Sequence, residues 1–129
     1  MKILKKLLEK LLLRKLKKLL QSNDTGRYQR KNQQILDIEV SGHANSAEHG
    51  KDLVCAGVST ACVGIANALV KNHFLKDQLG NLDIQKGYVH IEVLKSQKDI
   101  QVVLETFVTI LETIEESYAK YMKITKMEV

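Results

Sequence analysis

The sequence predicts an α+β fold: a small mixed sheet with two helices packed on one face, plus an N-terminal amphipathic helix. Three observations predict it. Short segments rich in β-branched residues recur at 35–41, around 84–94 and in the last nine residues; two long stretches of small or helically spaced apolar residues separate them; and the first 20 residues are dominated by Leu and Lys. Proline is absent and only 5% of the 129 residues are aromatic, so the core must be built from aliphatic side chains on regular elements. The length fits one domain, which we place at residues 25–129, with residues 1–24 as a basic amphipathic helix and linker.

In the opening MKILKKLLEKLLLRKLKKLL, Leu4, Leu8, Leu11, Leu12, Leu16 and Leu19 fall within about half of the helical circumference at 100° per residue, and most lysines point elsewhere. Its longest apolar run is Leu11–Leu13, too short for a transmembrane span or a signal-peptide core. A membrane-surface helix, a helix packed on the domain or on a second subunit, and an incidental extension all fit this pattern. QSNDTGR, residues 21–27, is polar and turn-rich and reads as a linker.

ILDIEVSG reads as a strand over 35–41 ending at Gly42, with a short preceding strand around Arg27–Arg30 pairing across KNQQ. A loop precedes a buried helix from about Leu53 to Asn72. IQKGYVHIEVL reads as one long strand or two short ones about Lys86 and Gly87. Ile100, Val103, Leu104, Phe107, Ile110, Leu111 and Ile114 recur at helical spacing, and YMKITKMEV alternates as a last strand.

Charge is unevenly distributed. The net charge is +5, but residues 1–20 carry eight Lys/Arg against one Glu, which leaves 12 basic and 14 acidic residues over 21–129. The body, at −2, offers no composition-level case for binding nucleic acid. Two cysteines without a secretion signal do not form a disulfide framework, and a reducing, cytoplasmic setting is expected.

The chemistry gathers in SGHANSAEHGKDLVCAGVST, residues 41–60. Cys55 is expected in the first turn of the long helix, where free N–H groups and the helix dipole favour a thiolate; a small buried hydrophobe is the alternative. Cys62 is two turns on, about 10 Å away by helical rise, beyond the ~7 Å disulfide limit, and reads as core. His43, where the strand gives way to the loop, is either a base for the thiol or a histidine bonded to local backbone. His49 is a rival in the same loop, whereas His73 and His90 read as structural. Asp52 is expected about one N-cap position before the helix, and Ser59 one turn after Cys55 on the same face. The spacings of His43, His49, Cys55 and Cys62 match none of the paired ligand patterns of structural zinc sites, so no metal site is expected.

SGHA, followed by DLVCAGVST with eleven residues between His43 and Cys55, resembles the ribosomal-processing cysteine protease family known as Prp. NALV at 67–70 and GYVHIEV at 87–93 extend the resemblance, and the element order agrees from about Arg30 onward. The resemblance implies a catalytic dyad of His43 and Cys55, with the family's motif Gly, Asp and Ser falling on Gly42, Asp52 and Ser59. It further implies a cytoplasmic, cofactor-free homodimer that removes a short N-terminal extension from a large-subunit ribosomal protein, cutting after an aromatic residue. Ala44, Asn45, Ser46, Ala47, Glu48, His49 and Gly50 would then form a substrate loop. The chain departs from the family at its start, where the Leu/Lys helix and linker leave only TGRYQ for the first strand. Two other classes remain open: a non-enzymatic ribosome-associated binding protein of the same fold, and a membrane-surface protein, with residues 1–20 supplying weak RNA or membrane contact.

Overall fold

The computed structural model describes residues 24–42 and 49–129. The elements run β1 (Asp24–Lys31), β2 (Gln34–Ser41), α1 (His49–Lys71), β3 (Gly80–Gln85), β4 (Tyr88–Val93), α2 (Lys98–Ser117) and β5 (Met122–Glu128). The helix expected over residues 1–20 lies outside the described residues. The strands form one mixed sheet in the order β3-β4-β2-β1-β5, antiparallel except for the parallel β1–β5 pair. The two helices pack on each other, and their inward side chains join those of the sheet in one core cluster.

β1 and β2 are joined across Asn32 and Gln33, with φ of 50° and 65°. Two successive left-handed residues make a primed turn, whose twist matches that of the strands it joins. Ile38 and Val40 are buried while Asp37 and Glu39 face outward, so a slip of one residue would bury the carboxylates. A bulge lies between Gln29 and Arg30. Close to it, the Gln101 amide of α2 accepts from the Ile35 N–H at 2.8 Å and donates to the Ile35 carbonyl at 2.9 Å. Arg30 forks onto both oxygens of Glu105 on the same helix, so α2 is tied to the hairpin by polar contacts as well as by packing.

β1 begins three residues earlier than the sequence pattern indicates. Asp24–Arg27 are polar and turn-rich, yet Thr25 pairs with Ser41 on one side and Lys123 on the other; pairing from both neighbours overrides the local signal.

α1 also begins earlier, at His49 rather than near Leu53. Gly50 reads locally as a loop residue, but one helical glycine costs only about 1 kcal/mol, and the buried Val54, Val58, Ile65 and Leu69 anchor the helix it extends. The stretch Leu53–Lys71 is long and apolar enough to cross a membrane by length and composition alone; its inner face lies in the core cluster, the position of a core helix in a globular domain. α1 ends in a Schellman turn, with Phe74 N–H donating to Leu69 O at 3.0 Å, His73 N–H to Val70 O at 3.1 Å, and His73 at φ 63°.

On the outward side of the sheet, His90 Nε2 is 2.5 Å from Asp37 Oδ2, and the Tyr88 hydroxyl donates to Glu39 at 3.0 Å. Arg27 lies 3.4 Å from both carboxylates. His90 is thus part of a cross-strand polar network.

His73→Gly should stabilise the fold by about 0.5–1 kcal/mol, because glycine adopts left-handed φ without the Cβ penalty; a higher urea midpoint at unchanged m is the readout. The Arg30 fork holds the Glu105 carboxyl below its ordinary pKa. That contribution is complete above the unfolded value of about 4.3 and is lost as pH falls through the lowered folded value. Since Glu105 is 43% exposed, Glu105→Gln should cost about 1 kcal/mol or less at neutral pH. In urea titrations the two chains should converge in acid.

Candidate active site

β2, β4 and α1 bring together the ends that carry the singled-out residues. β2 runs out at Ser41, and Gly42 continues the chain toward His43. Gly42 N–H donates to the Gly87 carbonyl at 2.9 Å, which fastens this end to the turn between β3 and β4. Gly87 has φ +73°, and a Cβ there would stand 2.5 Å from the Gly42 carbonyl oxygen. Only glycine permits both the backbone conformation and the approach. On the other flank, the Thr25 and Ser41 hydroxyls are 2.9 Å apart.

Between this strand end and α1 lies a cavity of about 220 Å³. Gly42 and Gly87 line one side; Cys55, Ser59 and Cys62 line the helix side. Spacings of four and seven residues put the last three on one face, so both thiols border the same space. Val58, Val89 and Val40 make it apolar, and Lys86 is the one charged residue among the described lining residues. Val63 and Ile84, 58% and 52% exposed, flank the opening. The volume is below the roughly 300–1,000 Å³ of whole-ligand pockets and suits one or two side chains of a larger chain.

Cys55 and Cys62 are both thiols, and Cys55 is 9% exposed. The early start of α1 corrects the reading of its surroundings: Cys55 is the seventh residue of α1, in its second turn rather than its first. Its own N–H falls to the helical ladder, and the dipole acts mainly within the first turn. Asp52 is the fourth helical residue and not the N-cap, while His49 and Gly50 belong to the first helical turn rather than to the loop. Helix geometry therefore gives Cys55 less help than the sequence suggests.

Of the residues singled out from the sequence, Gly42, Cys55 and Ser59 border one cavity. His43, Ala44, Asn45, Ser46, Ala47 and Glu48 lie outside the described residues. Among the described residues, no group of three His, Cys, Asp or Glu side chains could hold a metal ion. Sequence reasoning missed Cys62 as a cavity residue, although its seven-residue spacing from Cys55 puts it on the same face. It also missed the pairing of Gly87 with Gly42; the Lys-Gly turn signal was visible, but not what the turn would touch.

Comparison with known proteins converges on one group. The family model described as Cysteine protease Prp matches residues 25–123. The ribosomal processing cysteine protease Prp of Bacillus subtilis is 36% identical over 96 residues, covering 70% of this chain and 85% of the relative. The protein of that name from Staphylococcus aureus is 33% identical over 91 residues, with the same coverage of both chains. Among solved structures, SMU.848 of Streptococcus mutans superposes with a TM-score of 0.69 at 27% identity, covering 84% of this chain and 97% of that one. The S. aureus protease with a covalently linked product peptide gives 0.67 at 27% identity, covering 80% and 98%. Together with a cavity that carries a cysteine on its helical wall, these matches make this chain a member of the Prp family of cysteine proteases, a thiol hydrolase.

Proposed function

We propose that this protein is an endopeptidase that removes the N-terminal extension of a large-subunit ribosomal protein, with Cys55 as nucleophile and His43 as its base. One observation carries the assignment: Cys55 and Gly42, the residue before His43, border the same cavity. The names of the B. subtilis and S. aureus relatives as ribosomal processing proteases, and the S. aureus structures with substrate and product peptides, support the substrate class.

His43 accepts the proton of the Cys55 thiol, and the thiolate sulfur attacks the scissile carbonyl carbon. The tetrahedral oxyanion collapses, the C–N bond breaks, and the imidazolium protonates the departing amine. His43 then takes a proton from water, whose oxygen attacks the thioester; collapse releases the new carboxyl terminus and restores the thiol. Among the described residues, the N–H groups that the helical ladder leaves free are those of His49, Gly50 and Lys51, and the positive end of the dipole favours charge developing on the oxyanion. Ser59 borders the nucleophile one turn on, and Asp52 belongs to the turn before it. The apolar walls from Val58 and Val89, and the flanks from Val63 and Ile84, suit an aromatic side chain of the substrate. No cofactor takes part in this scheme.

A homodimer in the cytoplasm completes the reading. No charged side chain occurs from Leu53 to Val70, while Leu53, Val63 and Val70 are each more than half exposed. So long an uncharged outer helix face suits burial against a second copy. Residues 1–20, at +7, would add attraction to anionic RNA or lipid.

Incubation with a peptide spanning the extension and the first residues of the mature ribosomal protein should give one cut by mass spectrometry, lost to background in Cys55→Ala and in His43→Ala. Iodoacetamide should modify Cys55 faster than Cys62. Binding without any cut, with Cys55 unreactive, would instead support the non-enzymatic binding role. Sedimentation velocity should show a dimer that Val70→Glu weakens about tenfold or more, since it leaves an unpaired charge in an apolar contact.

A further inference from the structure

The contact between Gly42 and Gly87 joins two segments far apart in the chain, and the fold does not need it for its core: neither residue belongs to the hydrophobic cluster. What it does fix is the backbone one residue before His43. Gly42 N–H is held at 2.9 Å by the Gly87 carbonyl, and the Gly42 carbonyl lies so close to the Gly87 Cα that a methyl group would meet it at 2.5 Å. The tie is two-way, one direction a hydrogen bond and the other a steric fit that only glycine allows. With Ser41 held from the opposite flank by Thr25, the end of β2 and the glycine that follows it are gripped from both sides. Both glycines also line the cavity that Cys55 borders from the helix side.

We infer that Gly87 is a positioning residue for catalysis: the turn between β3 and β4 is the anvil against which Gly42 is set, so that the backbone immediately before His43 is fixed at the rim of the cavity that Cys55 borders. This rests on the reading of His43 as the base for Cys55. An imidazole must lie within hydrogen-bonding reach of the thiol, about 2.6–3.2 Å, and a displacement of 1 Å can cost about 100-fold in rate. A Cβ at Gly87 would stand 2.5 Å from the Gly42 carbonyl oxygen, so Gly42 or the turn must shift.

The full chain carrying Gly87→Ala tests this, with Gly87→Asn beside it, since asparagine tolerates left-handed φ but still brings a Cβ against Gly42. Both should lower kcat for the substrate peptide by about 10- to 100-fold with little change in KM. In both, the pH of half-maximal Cys55 alkylation should rise toward that of an ordinary thiol, about 8.5. His43→Ala should move alkylation in the same direction. If His43→Ala alters neither cleavage nor alkylation, the dyad itself is wrong and the inference falls with it. If His43→Ala acts but the two Gly87 variants, folded by circular dichroism, keep the parent kcat and alkylation profile, the dyad stands and the positioning role is overturned. In the unaltered chain, the Gly42 amide should exchange as slowly as the paired amides of β2; exchange at the rate of an exposed loop would also overturn it, and needs no variant to fold.

Discussion

Everything in this fold hangs on β1 having two partners. The first described strand lies between β2, to which it is joined by a two-residue turn, and β5, the last strand of the chain. Pairing with β2 is local and closes at little entropic cost; parallel pairing with β5 must wait for the whole chain. Once both are made, the ends of the domain are fastened together, and the top of the sheet collects Asp24, Ser41, the β3–β4 turn and the start of α1. The site is built at that end, from residues that the chain supplies at three separate places, the end of β2, α1 and the β3–β4 turn.

The cavity couples packing to chemistry. The side chains that line the cavity beside Cys55 are mostly apolar and leave room for an apolar group. A cysteine in the first helical turn has free N–H groups and the full dipole beside it; one in the second turn, like Cys55, has less of both. On the proposed reading of Cys55 as nucleophile, its place in the second turn puts the task of accepting the thiol proton on a group outside the helix. The strand end across the cavity is the element able to deliver one. Membership of the protease family and this arrangement of Cys55 favour catalysis over binding alone, because a surface meant only to hold a peptide gains nothing from a thiol on its wall.

Much of this was legible in the sequence, for reasons that can be traced. Alternation in ILDIEVSG and the aliphatic spacing of 100–114 reflect one-sided burial, which leaves a periodic trace. The KNQQ turn was readable because hairpin turns are local. The start of β1 was not, since Asp24–Arg27 carry the composition of a linker and owe their strand to β2 and β5. The start of α1 was misjudged because Gly50 resembles a breaker, whereas the buried turns that follow outweigh it. The helical spacing of 100–114 indicated Ile110 as core, but the structure leaves it 37% exposed and buries Val108 instead, because the contacts with α1 and the sheet rotate the buried stripe. In the site, Cys55, Ser59 and Gly42 could be found from spacing and motif, while Gly87 could not: nothing near residue 87 announces that its missing Cβ makes room for a carbonyl 45 positions earlier.

That difference bears on how such a site tolerates change. The thiol and the imidazole are visible because their chemistry is rare, and few other side chains can replace them. The glycine contact is chemically silent, a hydrogen bond between two backbones and a space where an atom is missing. Yet a protein interior transmits displacement through close packing rather than absorbing it, so a methyl group placed there must move one of two strand ends. The β3–β4 turn is the freer end by sequence and the Gly42 end the one gripped from both sides, but the turn is held in turn by the pairing of Gln85 with Tyr88. Neither can yield without loss, and the geometry of the site is therefore set by the sheet as much as by the residues that carry out the chemistry.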